Sequence, residues 1–225
     1  MTRPRFDLTA YLVTDRALCG ARSVEDVVRR AILGGVTLVQ LRDPHAKTGE
    51  LVEQARALLR LLRPVGIPLI INDRVDVALA VDADGVHVGQ ADMAVSDARR
   101  LLGPKRILGW SVTHREQLSR ALPTELDYLG VGPIFATQTK PDAAAPIGAA
   151  GLAEIAASTS LPIVAIGGLN AQNAAQALEA GAAGVAVVSA ICAADDPERA
   201  TRELVSQLHQ AQRVGRTPAH NARNP

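Results

Sequence analysis

The chain has 225 residues, 48% of them hydrophobic, and its 24 Lys and Arg against 23 Asp and Glu leave a formal net charge of +1. That apolar share supplies the core of one large α/β domain or two small ones. The near-neutral balance argues against a polybasic nucleic-acid binder or an anionic-membrane binder, so any anion site has to be local.

The N-terminal run from Met1 to Phe6 has no apolar signal region, and no later apolar run approaches the roughly 20 residues that span a bilayer. Cys19 and Cys192 are the only cysteines and lack zinc spacing, which reads as unpaired thiols in a reducing compartment. A cytoplasmic location is expected. No pattern sets an oligomeric state.

Short β-branched runs then alternate with longer Ala/Leu-rich stretches, the signature of βα units on a parallel sheet. Candidate strands begin near Leu8, Val36, Ile67, Gly85, Ile107, Leu126, Pro162 and Gly184. Each is followed by a stretch with helical apolar spacing, such as Val24, Val27, Val28, Ala31 and Ile32, or Leu51, Val52, Ala55, Leu58 and Leu59. Eight βα pairs predict a single (β/α)8 TIM barrel over 1–214. A doubly wound sheet would more often carry a glycine-rich turn after its first strand, where this chain has Thr14, Asp15 and Arg16. The last helix is expected from about Pro197 to Val214, with 215–225 a polar, frayed tail.

Active sites of such barrels form at the C-terminal ends of the strands, so the polar residues just past each apolar run carry the chemistry. These are Gln40 and Arg42 on strand two, Asn72 and Asp73 on strand three, His87, Gln90 and Asp92 on strand four, and Ser111 on strand five. Taken singly, Asp73 or Ser111 reads as a helix N-cap, and His87 as a hydrogen-bonded core group. Together, two carboxylates on neighbouring strand ends suit Mg²⁺, which takes few protein oxygens and completes its shell with water and substrate phosphates. After strand six, the loop through Thr137, Gln138, Thr139 and Lys140 offers hydroxyls and an ammonium to a phosphate or diphosphate. Gly167 and Gly168 after strand seven, and Val188 and Ser189 after strand eight, occupy the usual phosphate site of barrels. Two anion sites imply two phosphorylated substrates or one doubly phosphorylated one.

The ordered set Gln40-x-Arg42, Asn72-Asp73-Arg74, His87-Val88-Gly89-Gln90-x-Asp92, Gly132-Pro133-Ile134-Phe135-x-Thr137-x-Thr139-Lys140 and Gly167-Gly168 resembles the thiamine phosphate synthases over residues 8–210. The resemblance implies a transferase that joins a hydroxymethylpyrimidine diphosphate to a thiazole phosphate and releases pyrophosphate, through a pyrimidine-methyl cation. It further implies Mg²⁺ on Asp73 and Asp92, with Gln40, Arg42, Asn72, Ser111 and Lys140 on the pyrimidine diphosphate. Thr137, Thr139, Gly168, Val188 and Ser189 match positions that hold the thiazole phosphate. Arg42, Lys140 and Ser111 are then the expected catalytic residues.

One departure stands out: the family commonly has a Lys two residues after the Arg, and this chain has Pro44. Lys47 is the nearest replacement for that charge. Two other readings compete. The related thiazole tautomerases carry a His directly after a Ser-Val pair, whereas here Thr113 follows Ser111 and Val112, and His114 comes one place later. A noncatalytic phosphate-metabolite sensor could share the fold, but would not need paired carboxylates.

Overall fold

The strands are apolar on both faces because one face fills the barrel and the other packs beneath helices. In a computed structural model, which describes residues 6–121, 123–139 and 144–215, eight parallel strands close on themselves. They are β1 (Ala10–Val13), β2 (Leu38–Leu41), β3 (Leu69–Asn72), β4 (Gly85–Val88), β5 (Ile107–Val112), β6 (Tyr128–Val131), β7 (Ile163–Ile166) and β8 (Gly184–Val187). Each pairs with its neighbour, and β8 returns to β1 with Ala10 opposite Val185. The expected (β/α)8 barrel is the fold observed.

Strand alternation separates two cores. Leu8, Tyr11, Val13, Leu38, Ile70, Ile107, Tyr128, Val164 and Ala186 fill the barrel. The intervening residues, among them Leu12, Val39, Ile71, Val86, Leu129 and Val185, face outward under the helices. Those helices are α1 (Val24–Gly34), α2 (Thr48–Leu62), α3 (Val75–Val81), α4 (Val95–Leu102), α5 (Gly148–Ala156), α6 (Ala174–Glu179), α7 (Ser189–Cys192) and α8 (Pro197–Gly215). In α1 the apolar stripe is framed by local signals. The Ser23 hydroxyl accepts from the Asp26 N–H at 3.1 Å, Glu25 and Asp26 lie in the first turn, and Gly35 ends the helix at φ 97°.

Two details differ from the sequence reading. Several strands start one or two residues later than their apolar runs, because Leu8, Val36 and Leu126 are buried before the ladder begins. After β5, among the described residues, the chain makes 3₁₀ turns at Arg115–Arg120 and Pro123–Glu125 instead of an α-helix. Between Thr113 and Ala121 only Leu118 is a large apolar residue, so no stripe can dock on the barrel. The Gln117 side-chain carbonyl instead takes the backbone N–H groups of Thr113 and His114, at 2.7 and 3.0 Å. The last helix ends at Gly215, and the tail 216–225 lies outside the described residues. No helix among the described residues is long and apolar enough to cross a membrane.

At the N-terminal end of the barrel the polar groups are paired. Arg99 and Asp127 form a buried ion pair at 2.7 Å. The Asp127 carboxylate also accepts the Leu108 N–H at 2.8 Å, and Arg99 holds the carbonyls of Gly103, Arg106 and Glu125.

Candidate active site

Inward positions near the C-terminal ends of the strands turn polar: Gln40, Asn72, His87 and Ser111 succeed the apolar interior layer. They line a cavity of about 350 Å³ open to that rim. Gln40, Arg42, Asn72 and Ser111 stand on one side of it, and Thr137, Thr139, Gly168, Val188 and Ser189 on the other. Lys140 lies outside the described residues. Asp73 and Asp92 do not line the cavity itself; they sit beyond Asn72 at its edge.

On the β2–β5 side the chain builds a mixed-charge corner. The Thr14 hydroxyl accepts the Arg42 N–H at 3.0 Å, and the Arg42 guanidinium lies 3.7 Å from Asp15. Asp73 adopts a left-handed backbone, φ 60°, which costs a non-glycine residue on the order of 1 kcal/mol. That turn sends its N–H to the His87 carbonyl at 2.8 Å, while its carboxylate accepts from the Asn72 amide at 2.6 Å. The Asp92 carboxylate accepts the Gly89 N–H at 2.8 Å, and a side chain at Gly89 would crowd it.

Burial pushes the Asp73 carboxyl up to about 7, and the neighbouring Asp92 carboxyl pushes the same way against the weaker pull of Asn72 and Arg42. Two like-charged carboxyls held against each other invite a cation. Among the described residues, no group of three or more His, Cys, Asp and Glu forms a metal cluster. The donor set is two hard carboxylates beside an open cavity. It fits Mg²⁺, which draws its remaining ligands from water and phosphate, and does not fit a structural zinc.

The β6–β8 side is a backbone cradle. The loop after β6 passes through a cis Gly132–Pro133 bond, and the Thr137 hydroxyl accepts the Thr139 N–H at 3.2 Å. Gly167 and Gly168 take φ of 100° and 65°. A Cβ at Gly168 would also run into Phe135 and the Ala136 carbonyl, so the loops after β6 and β7 meet only because this position is glycine.

The floor of the cavity and the layer beneath it contain residues that sequence reasoning missed or undervalued. Tyr11, Tyr128 and His87 are buried and hydrogen-bonded in series, between Gln40 and Ser111. Burial holds the His87 imidazole down to about 4, so it is neutral, and pushes both phenols well up. Gly109 and Gly130 make the room: a Cβ on the first would strike the Tyr128 ring, and one on the second the His87 ring. The available signal was that the two tyrosines of the chain both fall on strand positions of the interior register. Three other residues stay outside. Lys47 is exposed at the start of α2 with its N–H on Glu50; His114 is exposed; and Arg74 turns to Asp76 and Thr48.

Closed barrel, rim cavity, carboxylate pair and glycine cradle together have the layout of a barrel enzyme, with the site at the C-terminal ends of the strands. Residues 10–191 match the family model described as thiamine monophosphate synthase. The thiamine-phosphate synthase of Xanthobacter autotrophicus is 59% identical over 208 residues, covering 92% of this chain and 98% of that protein. That of Solidesulfovibrio magneticus is 58% identical over 202 residues, covering 90% and 96%. The solved structure of thiamine phosphate pyrophosphorylase from Pyrococcus furiosus superposes with a TM-score of 0.82 at 40% identity, covering 91% of this chain and 96% of that one. The chain belongs to the thiamine monophosphate synthase family.

Proposed function

We propose that this chain is a thiamine phosphate synthase, a transferase of thiamine biosynthesis that joins a hydroxymethylpyrimidine diphosphate to a thiazole phosphate and releases pyrophosphate. The observation that carries the reading is one cavity with a carboxylate-flanked corner on β2–β5 and a glycine cradle on β6–β8, in a chain of this family. The first corner takes the diphosphate and the second the single phosphate.

In this reading Asp73 and Asp92 hold Mg²⁺, which when bound neutralises charge on the diphosphate. Arg42, whose backbone N–H is held by Thr14 and whose guanidinium lies 3.7 Å from Asp15, supplies a cation for the leaving oxygens, and Lys140 supplies another. Ser111 and Asn72 donate hydrogen bonds to the same group, and Gln40 faces the pyrimidine. Charge on the leaving group grows as its C–O bond breaks. Donors fixed in advance therefore stabilise the transition state more than the bound substrate, by about 10²–10³-fold each. Thr137, Thr139, Gly168, Val188 and Ser189 seat the thiazole phosphate so that its ring nitrogen meets the pyrimidine-methyl cation without a covalent enzyme intermediate. The chain works as a single barrel domain in the cytoplasm.

The test mixes the purified chain with both phosphorylated substrates and Mg²⁺ and follows pyrophosphate and thiamine phosphate. Both products in equal amount are expected. A folded chain that binds the substrates and forms neither product would overturn the assignment.

A further inference from the structure

The polar groups at the bottom of the cavity form one unbroken chain. The Gln40 amide donates to the Tyr11 hydroxyl at 2.7 Å, and the Tyr11 and Tyr128 hydroxyls lie 2.9 Å apart. The Tyr128 hydroxyl is 3.0 Å from His87 Nδ1, and His87 Nε2 is 2.8 Å from the Ser111 hydroxyl. A hydroxyl has a single proton to give, and a neutral imidazole carries one N–H and one acceptor nitrogen. A linear chain of such groups can therefore run in only two senses, and fixing one end fixes all of it.

Both ends select the same sense. With the amide nitrogen of Gln40 on Tyr11, Tyr11 gives its proton to Tyr128 and Tyr128 gives its own to His87 Nδ1. The ring proton then sits on Nε2 and is donated to the Ser111 oxygen. This leaves the Ser111 proton free for the cavity. In the opposite sense Ser111 would spend its proton on His87 and turn lone pairs toward an anion, which is repulsive. A donor facing a developing negative charge is what the site needs.

We propose that Tyr11, Tyr128 and His87 are positioning residues that set the direction of this chain and so present Ser111 as a hydrogen-bond donor to the leaving diphosphate. The proposal rests on the reaction assigned above. None of the three needs to touch the diphosphate: their effect passes through the orientation of one hydroxyl. The space cleared by Gly109 and Gly130 for Tyr128 and His87 is part of the same device.

The direct test is the ¹⁵N spectrum of the His87 ring in the wild-type protein without substrate. The ring is expected to be protonated on Nε2, with Nδ1 an acceptor. In Tyr128→Phe, Nδ1 loses its donor, so nothing at that end selects a tautomer and the ring is expected to show a mixture of Nε2–H and Nδ1–H forms, in part of which Ser111 gives its proton to His87. Turnover is then expected to fall about tenfold, with KM for the pyrimidine diphosphate within about twofold, since a factor of ten corresponds to loss of a modest transition-state interaction. His87→Gln, whose amide can accept from Tyr128 and donate to Ser111, is expected to recover most of the turnover that His87→Leu loses. A wild-type ring protonated on Nδ1, or Tyr128→Phe with unchanged kcat, would overturn the proposal. The tautomer is read on the protein alone, so it decides the chain's direction separately from the reaction. A wild type that releases no pyrophosphate would overturn the assigned reaction instead.

Discussion

The two ends of the barrel use charge in opposite ways. At the N-terminal end Arg99 and Asp127 neutralise each other in a buried pair and also satisfy backbone groups, and Arg106 reaches Asp82 at 2.7 Å. At the C-terminal end Asp73 and Asp92 confront each other, Asp73 holds a left-handed backbone, and the Arg42 guanidinium reaches Asp15 only at 3.7 Å. One end is finished by the protein, whereas the proposed reaction has the other finished by the metal and diphosphate. On that reading the difference teaches where stability and activity reside: the same residue types stabilise the fold below and serve ligands above.

Substitutions at the two ends should therefore fail in different ways. Removing the Arg99 side chain strands a buried carboxylate, so Arg99→Ala is expected to cost about 3–5 kcal/mol of unfolding free energy, measured by denaturant titration, while the surviving folded enzyme keeps its KM values. Asp73→Asn should do the reverse. Its kcat/KM is expected to fall by about 10²–10³-fold, with unfolding free energy unchanged or higher, because one of two opposed carboxyls is gone. A parallel loss of stability in that variant would contradict the contrast.

The pH dependence sharpens the same comparison. With Asp73 raised to about 7 in the fold, the native protein holds a proton that the unfolded chain has released above about pH 4. Stability from this proton is full below about pH 4 and is lost as pH rises through 7. Mg²⁺ competes with that proton, so its affinity is expected to strengthen up to about tenfold per pH unit below 7 and then level off. Calorimetric titration of the metal at pH 6 and pH 8 checks this; equal affinities would remove Asp73 from the metal site. The smallest effect is local. Ser23→Ala removes the cap of α1 and is expected to cost about 1 kcal/mol with no change in turnover.

Much of the fold was legible because barrel strands have a short, repeated apolar pattern, and the stretches between them carry apolar residues at helical spacing, as in Val24, Val27, Val28, Ala31 and Ile32. The turns after β5 were not, since Gln117 captures backbone groups locally in a stretch with too little apolar surface for a helix. Cavity-lining residues at strand ends, such as Gln40, Arg42, Asn72 and Ser111, could be located from the rule that barrel sites form at that rim. The Tyr11–Tyr128 contact could not, because it joins residues 117 apart that meet only when the sheet closes. Strands apolar on both faces also conceal which face is interior, so His87 between Val86 and Val88 carried no visible orientation. Only the register turns it inward.

The division between a stabilising end and a reacting end is tested most directly by Asp92→Asn, with thermal stability and pyrophosphate release measured on the same preparation against wild type. Release slowed by at least about 10²-fold, with the melting temperature unchanged or raised, is the result predicted for a carboxylate that serves the diphosphate. Release at the wild-type rate, or a fall in turnover matched by a fall in melting temperature, would contradict it.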